Sequence, residues 1–250
     1  VTDVSTLDLF WWVVLPYVAM TVFVVGHVWR WRYDRFGWDC YSTNLLEHRL
    51  LKWGAPLFHY GAFAAIIGHV MGLLVPISVT RAIGVPEVVY RWFSAVGGAL
   101  AAIVVIVGIA ILATRRTLEP RVRATTAAID WVALVLLLAI VLTGVIPTIF
   151  WNLLGPGYNY RLTVAPWFRG LFTGTPEVRA MTTAPYIYQL HATAAWAIWA
   201  VWPFSRLVHA WSFPLWYLWR PYQVYRSRGD ILPPEPGTTG RRWRKIGAPE

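Results

Sequence analysis

Four histidines stand where imidazole is costly to place. His59 and His69 lie ten residues apart in the stretch Leu57–Gly72, which has no charged residue, and His191 and His209 lie eighteen apart in a second apolar run. An ionisable side chain buried in hydrocarbon implies a function that repays its cost. Imidazole nitrogens in pairs can ligate a metal, and two pairs at two depths are what bis-imidazole ligation of two stacked haems requires. A zinc or copper site is the other metal reading, but no carboxylate or cysteine accompanies the pairs, and Cys40 is the single cysteine. His27 and His48, each near the end of an apolar run, read as interfacial residues.

The elements that must position these histidines are membrane spans. Of the 250 residues, 57% are hydrophobic and 16% aromatic, with 17 tryptophans and only 14% charged residues. Apolar runs at about residues 9–29, 53–76, 92–113, 128–151 and 185–211 each reach the roughly 20 residues that cross a bilayer. The expected fold is therefore an all-α polytopic membrane protein of five transmembrane helices. The formal net charge of +10 invites nucleic acid as a partner, but the arginines gather in loops between apolar runs, which the positive-inside rule explains better. Arg30, Arg32, Arg35, Arg49 and Lys52 follow the first run, Arg115, Arg116, Arg121 and Arg123 follow the third, and the C-terminal stretch from Arg206 adds more. On the other side stand Arg81, Arg91, Arg161, Arg169 and Arg179. This asymmetry puts the N-terminus outside and the C-terminus in the cytoplasm of a multi-pass plasma-membrane protein.

Topology then sets the pairing. The second span rises from the cytoplasm and the fifth descends towards it, so His59 meets His209 at the inner depth and His69 meets His191 at the outer one. Eighteen residues are five helical turns, so His191 and His209 share a face of one helix. One length disagrees: ten residues rise about 15 Å and eighteen about 27 Å, a mismatch assigned to tilt and to distortion at Pro203.

Gly61, Ala65, Gly68 and Gly72 form a stripe of small residues beside the histidines, suited first to close helix packing and second to a flat porphyrin or quinone ring. Asp130 reads as a partner for a nearby arginine. The connection 152–184 is long enough to be a functional loop, with Trp167, Phe168, Leu171 and Phe172 suggesting a cap along the membrane surface. Residues 1–228 make up the transmembrane domain, and 229–250, basic and aperiodic, a disordered or partner-docked cytoplasmic tail.

Several segments resemble the gamma subunit of respiratory nitrate reductase: Leu57-Phe58-His59, Gly68-His69, Met71-Gly72, Arg121 to Thr126, and Pro203 to Ser212. The resemblance covers about residues 9–228. It implies a di-haem cytochrome b with His69 and His191 on the distal haem b and His59 and His209 on the proximal one. It further implies oxidation of a membrane quinol at the outer face, in anaerobic respiration. Electrons would pass through the haems to iron–sulfur and molybdenum-containing catalytic subunits on the cytoplasmic side. The quinol site would take in Gly68, His69, Tyr90 and Arg91. The family's lysine at this site aligns with Val89, so Arg91 is either its cationic substitute or an interfacial anchor. A related haem subunit of a sulfur-compound or heterodisulfide reductase, and a haem-free anchor or transporter, remain as rivals.

Overall fold

The structure is a computed structural model that describes residues 4–34, 38, 43–212 and 219. The tail expected at 229–250 lies outside the described residues. All the secondary structure among the described residues is helical, without a strand. Four helices are long and apolar enough to cross a membrane: α1 (Thr6–Tyr33), α2 (Arg49–Leu74), α4 (Glu87–Leu118) and α6 (Ala128–Leu153). Between them lie the short α3 (Ile77–Ala82) and α5 (Pro120–Ala124). The connection after α6 folds into a 3-10 turn (Tyr160–Leu162), α7 (Val164–Thr173) and α8 (Val178–Thr182). The fifth expected span is α9 (Tyr186–Val201), which breaks into 3-10 turns at Trp202–Phe204 and Arg206–Val208 before the short α10 (His209–Ser212).

Local sequence explains the helix starts. Ser5 accepts from the Asp8 amide while the Asp8 carboxylate accepts from Ser5 N, a reciprocal cap for α1. Proline precedes α4 and α9, at Pro86 and Pro185 in extended conformation. Asp130 accepts from the Ala127 amide at the start of α6.

The long helices pack small side chains inward and turn large apolar ones outward, the reverse of a soluble bundle. On α4, Ala95, Ala99, Ala101 and Gly108 are buried, whereas Phe93, Leu100 and Ile103 are exposed. A bilayer solvates such a surface, and only van der Waals fit and buried polar contacts hold the helices to one another. This is a multi-pass membrane protein. The tightest crossing joins α2 to α4: a Cβ on Gly61 would fall 2.8 Å from Val105 N, and one on Gly108 2.7 Å from Phe58 Cα. Gly61 thus serves helix packing. Gly68 has nothing within 4 Å of its Cβ position, and Gly72 lies against the Tyr160 ring.

Two ends of the bundle differ in chemistry. At the arginine end, Arg115 is buried and donates to Glu47 Oε2 (2.7 Å), Thr43 Oγ1 (3.0 Å) and two backbone carbonyls. Asp130 pairs with Arg206 at 2.9 Å and Arg116 at 3.6 Å, the arginine partnership expected of it. Arg30 donates to Pro203 O at 2.9 Å.

The opposite end carries the cap. Widened π-helical turns end α2 and α6, at Val70–Leu74 and Pro147–Leu153, and a third lies at Phe10–Val14 near the start of α1. Each offers a carbonyl to a side chain: Trp12 O to the Trp167 indole, Leu73 O to Arg169, and Pro147 O to Asn152. The apolar cap residues do not all face the membrane as expected. Trp167 and Leu171 are buried with Trp12, Met181 and Trp196, and Phe172 alone of the four is exposed. Amphipathic α7 turns its apolar face onto the helix ends, because tryptophan beside tryptophan removes more area from water than a shallow interfacial seat would.

Candidate functional site: two facing histidine pairs

α2 brings His59 and His69 to one side, and the descending segment brings His209 and His191 opposite them. The ring centroids of His59 and His209 are 5.8 Å apart with planes inclined by 70°, and those of His69 and His191 are 5.8 Å apart and inclined by 27°. The pairs are those that topology dictates.

Hydrogen bonds orient every ring. Nδ1 of His59 lies 2.7 Å from Ala55 O, Nδ1 of His69 2.7 Å from Ala65 O, and Nδ1 of His209 2.6 Å from Arg206 O. His191 Nδ1 reaches across to α6, 3.1 Å from Ile140 O and 3.2 Å from Thr143 Oγ1. A carbonyl only accepts, so Nδ1 carries the proton and Nε2 presents its lone pair. That is the tautomer of a metal-binding imidazole, fixed by its second nitrogen. Gly144 allows the close approach of α6, since a Cβ there would sit 2.9 Å from His191 Cε1.

His59 with His209, and His69 with His191, would suit a metal held between two imidazoles. Metal–imidazole bonds of about 2 Å place two facing ring centroids roughly 6 Å apart, close to both observed separations. Each set is two imidazoles without a third His, Cys, Asp or Glu ligand among the described residues, which suits a metal whose remaining ligands come with its own macrocycle. His27 is oriented in the same way, its Nδ1 2.7 Å from Phe23 O, but its ring contacts are Phe23 and Trp211.

His191 and His209 are not on one continuous helix, which corrects the five-turn argument. α9 ends at Val201, and Ser205 adopts extended backbone (φ −108°, ψ 177°) where the two 3-10 turns meet. From His191 to Val201 the helix runs ten residues, the same interval as from His59 to His69, and the irregular turns that follow absorb the remainder. The length mismatch disappears.

Gly68, Tyr90 and Arg91 each have their own surroundings. Gly68 and His69 are exposed, and nothing lies within 4 Å of a Cβ built on Gly68. Tyr90 lies under the Arg161 guanidinium, whose centre is 3.9 Å from the ring centroid. Arg91 donates to Pro156 O at 3.1 Å and packs against Gly157, whose φ of +85° suits glycine. Its role in the structure is to tie the cap loop to α4.

A polar layer that sequence reasoning missed sits one helical turn beyond the His69–His191 pair. Tyr160 packs on Gly72, three residues past His69, and its ring lies 6.3 Å from that of Tyr188, three residues before His191. Asn152 donates to the Tyr188 hydroxyl at 2.8 Å. Arg161, 3% exposed, donates to Thr80 Oγ1, Val75 O and Glu87 Oε1. The sequence signal for this layer was slight: one arginine flanked by tyrosine and asparagine in a long loop.

Residues 8–228 match the nitrate reductase gamma subunit family. The chain belongs to that family. It is 40% identical over 217 residues to the nitrate reductase gamma chain of Bacillus subtilis, covering 87% of this chain and 97% of that one. Against the respiratory nitrate reductase 1 gamma chain of Escherichia coli it is 31% identical over 225 residues, covering 89% of this chain and 98% of the other. The nitrate reductase-like protein NarX of Mycobacterium tuberculosis is 42% identical over 230 residues, 92% of this chain. Against that longer relative the chain spans 35% of the length. As a gamma subunit family member with four helices long and apolar enough to cross a bilayer, this chain is a multi-pass membrane protein.

Proposed function

We propose that this gamma subunit is the quinol-oxidising cytochrome b of a membrane-bound nitrate reductase, with the cap end outside and the arginine end in the cytoplasm. The two histidine pairs, each with ring centroids 5.8 Å apart and Nδ1 committed to an oxygen acceptor, carry the proposal. His69 and His191 hold the outer haem b, and His59 and His209 the inner one. When bound, the haems supply reversible one-electron transfer.

The protein's own residues fix the imidazoles and admit the quinol. Alanine and arginine carbonyls hold three rings in register, and α6 holds the fourth. Gly68 leaves open space beside exposed His69 for a flat ring, and Tyr90 borders the same end. The basic arginine end suits an acidic face on an iron–sulfur subunit, with a molybdenum-containing subunit beyond it reducing nitrate. Apolar helix surfaces keep the quinol, a lipid-soluble substrate, within the bilayer until it reaches the cap end. A fifth transmembrane segment made of α9 and the turns after it completes the topology.

The deciding experiment is a reduced-minus-oxidised spectrum of the purified protein with haem counted as pyridine haemochrome. Two b haems per chain are expected. A spectrum without a b-type band, or a count of one, would overturn the four-ligand assignment. Copurification of a molybdenum subunit separates nitrate reductase from other haem-containing reductases.

A further inference from the structure

A haem carries its propionate carboxylates on one edge, and a carboxylate inside a membrane protein needs a donor or a cation beside it. The histidines provide for the iron and leave the rim of the macrocycle to other groups. Around the His69–His191 pair those groups have a defined outer boundary. Gly72 lies three residues past His69 and Tyr188 three residues before His191, and three residues rise about 4.5 Å, less than the half-width of a porphyrin. The Tyr160 ring packs on Gly72 and lies 6.3 Å from the Tyr188 ring, so this layer fills the same gap between α2 and α9 that the facing imidazoles share. A flat ring ligated by both imidazoles therefore brings its rim to the tyrosine layer.

Most polar groups in that layer satisfy one another. The Tyr158 hydroxyl shares a hydrogen bond with Thr163 Oγ1 at 2.8 Å, and that of Tyr160 lies 3.5 Å from Ser94 Oγ. Asn152 is fully committed: its amide nitrogen donates to Pro147 O and to the Tyr188 hydroxyl, and its Oδ1 accepts from Tyr158 N. The Tyr188 oxygen thus accepts a hydrogen bond, while its own hydrogen has no acceptor among the described residues. Arg169 is left in the same condition. Its Nη1 donates at 2.8 Å to Leu73 O, next to Gly72, and no carboxylate among the described residues pairs with the guanidinium. Arg161, by contrast, has Glu87. A hydroxyl hydrogen and a cation, both unspent at the outer end of one imidazole pair, are complementary to carboxylates.

We propose that Tyr188 and Arg169 bind the propionate carboxylates of the outer haem, with Asn152 positioning the Tyr188 hydroxyl, so that the acidic edge of the haem faces the cap. This rests on the di-haem reading above. Negative charge at the rim favours the ferric state, and a donated hydrogen bond and a guanidinium both offset it. Tyr188 and Arg169 therefore raise the potential of the outer haem and leave that of the inner one alone.

The test uses the whole enzyme complex, titrated spectroelectrochemically at the b band, with the haem isotope-labelled in its carboxylate carbons. Tyr188→Phe and Arg169→Gln should each keep both haems, which the four imidazoles still hold, and lower the midpoint potential of one of them. In a His69→Ala background, which lacks the outer haem, neither substitution should move the potential that remains. Arg169→Lys, which keeps the charge, should stay closer to the parent than Arg169→Gln. In redox-difference infrared spectra the label-sensitive carboxylate bands should shift in Tyr188→Phe, a change that a purely structural tyrosine would not cause. Unmoved potentials and carboxylate bands in both variants would overturn the proposal. So would a shift that persists in the His69→Ala background, or loss of the outer haem from Tyr188→Phe, which would make the hydroxyl a support of the fold. Slower quinol oxidation with potentials and bands unmoved would assign Tyr188 to the quinol instead. If the parent complex contains no b haem, the functional reading itself falls; if it contains two whose potentials ignore both substitutions, only this inference does.

Discussion

Three of the four facing imidazoles are held by carbonyls of their own chain, three or four residues back, and His191 alone depends on another helix. That makes the His69–His191 pair sensitive to α6. Gly144→Ala places a methyl 2.9 Å from His191 Cε1, so the ring must turn away from its acceptors on Ile140 and Thr143. Haem count should drop from two towards one while the inner haem keeps its spectrum, measured by pyridine haemochrome and low-temperature absorbance. His69→Ala should have the same selectivity and abolish quinol oxidation. The ligand candidates were legible in the sequence because depth and apolar surroundings suffice to single out His59, His69, His191 and His209. The cation at the cap end was not. Arg91 and Arg161 look alike in a list of loop arginines, and only tertiary contacts with Glu87, 74 residues away, and with Thr80 bury one of them while the other braces Pro156.

At the scale of elements, buried polar contacts fasten loops to helices whose apolar surfaces offer no directional hold. The Glu47–Arg115 clasp is one. Burial opposes the charge on Glu47, but hydrogen bonds from Leu50, Arg115, Arg49 and Leu51 outweigh it and hold the carboxyl below its ordinary range. A depressed folded value means that the clasp contributes in full above the ordinary glutamate value. Its contribution falls as pH drops towards the folded value and is lost below it. Hydrogen-exchange protection factors of residues 43–50, rates taken relative to the intrinsic rate at each pH, should therefore fall on acidification in the parent, and be low and insensitive to pH over that range in Glu47→Gln. Glu47→Ala, which leaves Arg115 without its counter-charge, should cost about 3–5 kcal/mol, read as a lower melting temperature. The cap shows why its orientation escaped sequence reasoning. Trp167, Leu171 and Phe172 are equally suited to a bilayer interface and to a core, and the choice was made by Trp12 and Trp196, which approach from α1 and α9.

For the whole molecule, the all-helical membrane fold followed from apolar run lengths, since a bilayer leaves few alternatives for twenty uncharged residues. Sidedness is open to a direct check. In a Cys40→Ser background, a cysteine placed at exposed Thr175 in the cap should react with an impermeant maleimide in right-side-out vesicles. In the same background a cysteine at exposed Leu45, at the arginine end, should react only after permeabilisation. The reverse labelling would invert the topology and with it the side on which quinol is oxidised. The break after Val201 was foreshadowed by Pro203, but its position relative to the histidines came from packing, not from any local pattern. It also divides the molecule's tolerance to changes in chain length. Between His59 and His69, and between His191 and Val201, one inserted residue rotates everything beyond it by about 100° and carries an imidazole away from its partner. Between Trp202 and Val208 two short 3-10 turns meet at extended Ser205, so an added or deleted residue at that joint does not rotate an α-helix. Homologous chains should therefore vary in length at that joint and hold constant the interval from His59 to His69 and that from His191 to Val201.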